Sequence, residues 1–301
     1  MKDDRHGVSE SRRRRFDARA VFLRIGRERA RGVSLAVTLS VGAALSCLAP
    51  LAAAHEFWIE ALDFRIDVDE PLLADLRNGE EFTGVSFPYL PDRFVRFGID
   101  DGTGEREVSG RLGDFPALEE RPEREGLHTL VYESSGTSLV YDGYEEFESF
   151  VREEGMEWVL EAHDARGLSR ERIGELFRRF AKALVAVGDA GGADRAVGLE
   201  LELIARSNPY VIDDGALEVE LRYRGEPLER AQVSVFHRDP ASTVGIDRQR
   251  TDGKGRVTLD VSSPGTYLVN AVHMHEPSPE DQASSGAAWE SLWASLTFAR
   301  D

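Results

Sequence analysis

Leu217-Glu218-Val219-Glu220-Leu221-Arg222-Tyr223 places an apolar side chain at every second position and a charge between each pair. Successive side chains on a strand leave opposite faces, so this is the pattern of a strand with one face in a core and one in water. Working outward, Ala231 to His237, Val257 to Val261 and Tyr267 to His273 are further strand segments rich in β-branched and aromatic residues. Gly225-Glu226-Pro227-Leu228, Thr251-Asp252-Gly253-Lys254-Gly255 and Ser263-Pro264-Gly265-Thr266 separate them as turns, each carrying the glycine or proline a reversal needs. Strands at this spacing predict an immunoglobulin-like or transthyretin-like antiparallel β-sandwich over 197–301.

Toward the N-terminus, Phe57-Trp58-Ile59, Leu72-Leu73-Ala74, Phe94 to Phe97 and Thr129 to Tyr132 read as strands, with Asp100-Asp101-Gly102 a hairpin turn. They predict a second antiparallel β-sandwich over 55–141. The period changes over 142–190, read as a helical hairpin. Phe147, Phe150 and Val151 share one helical face. Ile173, Leu176, Phe177, Phe180, Leu184 and Val187 repeat at three- and four-residue steps, with Gly188 as a C-cap. The whole is mainly β with a helical insertion. Glu276 to Ala288, rich in proline, serine and glycine, reads as a mobile loop.

Residues 1–54 have the parts of a secretory signal: a basic n-region with Arg12 to Arg15, a charge-free run from Val33 to Ala54, and small residues at Ala52 and Ala54. Cleavage after Ala54 predicts a periplasmic or secreted chain starting at His55. A lipobox at Ala44-Leu45-Ser46-Cys47 and an uncut membrane anchor are the competing readings, the apolar run being long enough to span a bilayer. No later stretch could cross a membrane as a helix. The net charge of −18, more negative still without the basic leader, argues against nucleic acid as a partner. The single cysteine, Cys47, lies in the leader, which excludes disulfides and thiolate metal sites from the rest.

Candidate chemistry rests on histidine. His273-Met274-His275 ends a strand, so the two imidazoles share a face and Met274 points to the other. Cleavage would give His55 a free α-amino group beside its imidazole, a chelating pair for a transition metal. His55, His273 and His275 are therefore the candidate ligands for nickel, cobalt or copper. His237 is a weaker candidate, while His128 and His163 read as structural. Glu56 is a possible partner of the first ligand, and Glu145, Glu146, Glu148, Glu153 and Glu154 read as a solvated helix face. Trp58, Trp289 and Trp293 read as core residues. No nucleophile elbow, phosphate loop, dinucleotide fingerprint or His-Glu-x-x-His pair is present, leaving hydrolases and nucleotide enzymes without support.

His55-Glu56-Phe57-Trp58-Ile59-Glu60 after the leader resembles the domain of unknown function 4198 family. So do Arg178 to Leu184, Leu199 to Ile204, Asn208-Pro209-Tyr210, the three C-terminal turns and the closing Trp289 to Phe298 strand. The resemblance implies an exported bacterial protein of the NikM-like group, associated with nickel and cobalt transport. It also implies membrane metal-transport components as partners and carries His55 over first, then His273 and His275. Two alternatives stay open: a copper histidine-brace oxidase using His55, with Tyr267 or Phe298 as axial residue, and a metal-free β-sandwich binding module.

Overall fold

The computed structural model describes residues 55–301. The expected signal sequence, Cys47 and the expected cleavage site after Ala54 lie outside the described residues. The order begins β1 (Glu56–Ala61), β2 (Arg65–Ile66), β3 (Leu72–Glu80), β4 (Thr83–Phe87), β5 (Phe94–Asp100), β6 (Glu105–Glu107), β7 (Leu118–Glu120), β8 (Gly126–Ser134) and β9 (Thr137–Gly143). Helices α1 (Tyr144–Glu153) and α2 (Trp158–Ala165) and the long strand β10 (Glu171–Val187) follow. The remainder is β11 (Leu201–Ala205), β12 (Ala216–Tyr223), β13 (Glu226–Pro227), β14 (Gln232–Arg238), β15 (Val244–Arg250), β16 (Arg256–Asp260), β17 (Gly265–His275), α3 (Pro279–Ser285) and β18 (Trp289–Arg300).

The C-terminal sandwich is built as expected. β11, β12 and β16 form one sheet, and β15, β14, β17 and β18 lie in order in the other. Leu217, Val219 and Leu221 of β12 face Val233, Val235, Val269, Ala271, Leu292, Ala294 and Leu296 across the core. Tyr267, at the start of β17, donates its hydroxyl to the carbonyl of Ser263 four residues back at 2.8 Å. That is the tyrosine-corner bond of immunoglobulin-like domains.

The two sandwiches are not separate sheets stacked end to end. One ten-stranded sheet runs β15-β14-β17-β18-β10-β8-β5-β6, with β2 and β9 also paired to β10. Its N-terminal half packs against the sheet of β1, β3, β4 and β7. Phe57, Ile59, Leu72, Leu76 and Leu118 on that side meet Phe97, Ile99, Leu130, Ala181, Ala183 and Val185. Helices α1 and α2 cover the rest of this face through Phe147, Val151 and Val159 against Ile173, Val272, Met274, Trp289 and Trp293.

The stripe over 169–187 is strand, not helix, and this is the main correction. β10 pairs in parallel with β18 from Glu175 to Ala183 and antiparallel with β8 and β9 on its other edge. Residues 180–187 are buried without a break, because both faces of this central strand are covered. A continuous apolar run hides the period of two. Gly188 ends that strand rather than a helix. Its φ of 58° is the left-handed conformation glycine takes without a Cβ penalty. A second difference concerns 276–288, where Pro279–Ser285 is a helical turn capped by the Ser278 hydroxyl accepting from Asp281 N. No helix of the described residues is long and apolar enough to cross a membrane.

Candidate metal centre

His273 and His275 leave β17 on the same face, as their spacing predicts, with ring centroids 6.2 Å apart. Met274 is fully buried on the opposite face, among the residues beneath the helices. The ring of Tyr223, at the end of β12, closes over both imidazoles, 4.5 Å from His273 and 5.8 Å from His275. His275 Nδ1 bonds the carbonyl of Glu276 at 2.7 Å, so that nitrogen carries the proton in the neutral ring. Its Nε2 is buried without a hydrogen-bond partner and faces the Glu290 carboxylate at 3.8 Å. Burial drives the pKa of both histidines down, that of His273 to about 4, with the facing His275 and the Arg224 cation adding to the effect. Both rings are thus neutral, with lone pairs available, at physiological pH.

The surrounding charges are mixed. Arg178 pairs with Glu290 and, at 2.9 Å, with Asp281, while Arg224 pairs with Glu200 at 2.8 Å. Each cation near the imidazoles is matched by a carboxylate, so the pair does not sit in a purely positive field. Glu290 shares its charge with Arg178 and is a divided ligand. Among the described residues no three histidine, cysteine or acidic side chains form a group able to hold a metal ion. The protein by itself offers two nitrogens here.

His55 does not join them. Arg178 and Arg179 are neighbours on β10, so their side chains leave opposite faces of the large sheet. Arg178 reaches Glu290, the register partner of His275. Arg179 reaches the carbonyl of His55 at 3.3 Å. The expected three-histidine centre is split by the thickness of the sheet. Tyr267 and Phe298 also lie in the core opposite to His55, stacked on each other, and cannot serve it as axial ligands.

The remaining histidines among the described residues have structural partners. His163 accepts the Trp289 indole N–H on Nδ1 at 3.0 Å and bonds the Ser169 carbonyl through Nε2. His128 bonds Gly126 O, and His237 bonds Pro264 O while stacking on Tyr267. Trp58, Trp289 and Trp293 are all buried.

One group escaped the sequence reading. Glu154, expected on a solvated helix face, is only partly exposed and lies close enough to Glu56 and Glu153 to feel their charge. Desolvation, then repulsion from Glu56 and Glu153, raises its pKa to about 8. Desolvation, then Glu80 and Glu153, raises that of Glu56 to about 7. Both folded values exceed the ordinary 4.5. The native state therefore binds these protons more tightly than the unfolded chain. Their stabilising contribution is complete below about 4.5 and is lost as pH rises through about 7 and 8. Glu154→Gln should flatten the decline in melting temperature between pH 5 and pH 8. An unchanged slope in that variant would refute the coupling. Nothing in the residues near Glu154 announces this, because Glu56 lies far away in sequence.

Known proteins add the family. Residues 52–275 match the family described as domain of unknown function (DUF4198). No curated protein matches the sequence. Among solved structures, the D0-D1 domain of Intimin aligns at 13% identity with a TM-score of 0.20, covering 80% of this chain and 97% of that one. A tetra-tandem repeat in the extending region of a large adhesion protein aligns at 13% identity and 0.19, covering 81% and 49%. The family match covers most of the chain, including β1 and both candidate histidines of β17, and so the chain belongs to the domain of unknown function 4198 family.

Proposed function

We propose that this is an exported protein that captures a divalent transition metal (nickel, cobalt or copper) at His273 and His275 and delivers it to a membrane transporter. One observation carries the reading. His275 Nδ1 is tied to a backbone carbonyl while its Nε2 lone pair is buried without a partner, two strand positions from a second neutral imidazole. A backbone carbonyl behind the ring is the usual support of a ligating histidine, since it fixes tautomer and orientation. Two nitrogens suit borderline metals such as nickel, cobalt and copper. The metal here is cargo, and a site with few protein ligands leaves coordination positions for the acceptor that takes it. The histidine-brace alternative loses its support, because the candidate second histidines lie across the sheet from His55.

The test is calorimetry with nickel on the mature chain in a His55→Ala background, which removes any chelate at the new N-terminus. His273→Ala and His275→Ala should each weaken binding by more than tenfold. Equal affinity of the His273→Ala/His275→Ala double variant and its parent would overturn the proposal.

A further inference from the structure

On the opposite face of the large sheet a cleft of about 210 Å³ opens between the two N-terminal sheets. Its walls combine the aromatic rings of Phe57, Phe87, Tyr132 and Phe177 with the hydroxyls of Ser134, Ser135 and Thr137, and Phe87 is 38% exposed at its rim. Arg179 enters it from β10, with its guanidinium 4.7 Å from the ring centre of Phe177 and 5.6 Å from that of Phe57. A guanidinium has five N–H donors. Among the described residues this one donates a single side-chain bond, to His55 O, and its Nε is buried without a partner.

Among the described residues no carboxylate forms an ion pair with Arg179. Glu175, the acid whose field reaches it, is engaged by the hydroxyls of Tyr141 and Ser291. Burial lowers the guanidinium pKa to about 10, which still leaves it charged at any physiological pH. In a protein with 55 acidic and 37 basic residues, a half-buried arginine without a carboxylate stands out. Arg93, also lining the cleft, has no ion pair among the described residues either.

We propose that this cleft binds a small organic anion with one carboxylate on a flat apolar body, the aryl carboxylates being the class that fits. The charge follows from Arg179, whose planar fork matches a carboxylate. The body follows from the walls, since aromatic rings pack edge-on or offset against other rings. Its size follows from the volume. A dry apolar cavity of about 150 Å³ accepts a benzene ring, so this cleft takes one ring and a short acidic arm. A metal ion is excluded by the cation, and a long acyl chain by the space. The site shares no residue with the histidine pair, so each can fail without the other.

The mature chain should be titrated with phenylacetate, with benzyl alcohol as the neutral counterpart and acetate as the anion without a ring, following chemical shifts or heat. Phenylacetate should bind at least tenfold more tightly than either control. Arg179→Met should remove that preference. Phe87→Ala, at the partly exposed rim of the cleft, should weaken phenylacetate severalfold in a chain that still folds. Equal affinities for phenylacetate and benzyl alcohol, no binding at millimolar concentration, or an unaltered affinity in Phe87→Ala would each overturn the proposal. If the Met variant does not fold, the ligand comparison on the wild-type chain and the Phe87 variant still decide it.

Discussion

Lys182→Met is expected to lower the unfolding free energy by about 3–5 kcal/mol at neutral pH, the cost of breaking a buried ion pair by removing one partner. Lys182 is 1% exposed at the middle of β10. Its ammonium, with three N–H donors, lies within hydrogen-bond reach of Asp194 Oδ2 at 3.0 Å, Glu202 Oε1 at 3.3 Å and the carbonyls of Arg195 and Leu203 at 3.0 and 3.2 Å. The same carboxylates accept from backbone N–H groups: Ala205 N to Asp194, and Val197 and Gly198 N to Glu202. The ammonium thus fastens the loop after β10 and the strand β11 to the large sheet from inside the core. Methionine fills much of the volume but leaves two carboxylates buried with no cation between them. Adding Asp194→Asn and Glu202→Gln to Lys182→Met should recover part of the loss. Urea unfolding followed by circular dichroism measures these differences, and a loss below about 1 kcal/mol would show that the network is not needed.

Trp58→Ala should cost about 3–5 kcal/mol, the range for deleting a buried aromatic side chain. Trp58 is fully buried and forms a small core with Phe82, Phe236 and Leu268. Phe82 meets it edge-on at 5.4 Å, and its indole N–H donates to Glu60 at 3.0 Å. Glu60 in turn holds Arg77 and Arg238. Strand β1 is thereby joined to β14 and β17 of the other half of the molecule. Trp58→Phe keeps most of the apolar volume and should cost less than half as much. The same urea titrations decide it. If both variants unfolded at the wild-type midpoint, the contact would not couple the two halves.

Two segments, one read correctly and one not, show where local pattern stops being informative. Leu217 to Tyr223 was legible because one face of β12 meets the core and the other carries Glu218, Glu220 and Arg222. Phe180 to Val187 was not, because helix and central strand both bury a run that is apolar but for Lys182 and differ only in what covers it. The alanine, leucine and lysine of that run also favour helix in isolation, and pairing with β18 and β8 overrode the preference. The 17-residue length of β10 added to the error, since strands commonly run to about 5–6 residues.

For the site, the strand period alone put His273 and His275 on one face and Met274 on the other, because side-chain alternation is a local property of any strand. The sequence also determined the family and the core tryptophans. Only the tertiary structure decided that His55 belongs to the opposite face, that Arg179 stands in an aromatic-lined cleft with no ion-paired carboxylate among the described residues, and that Glu56 lies near enough to Glu154 for its charge to be felt. Each of these is a relation between residues far apart in the chain. It depends on which face of which strand is turned toward which neighbour, and a sheet fixes that only once its pairing and packing are complete.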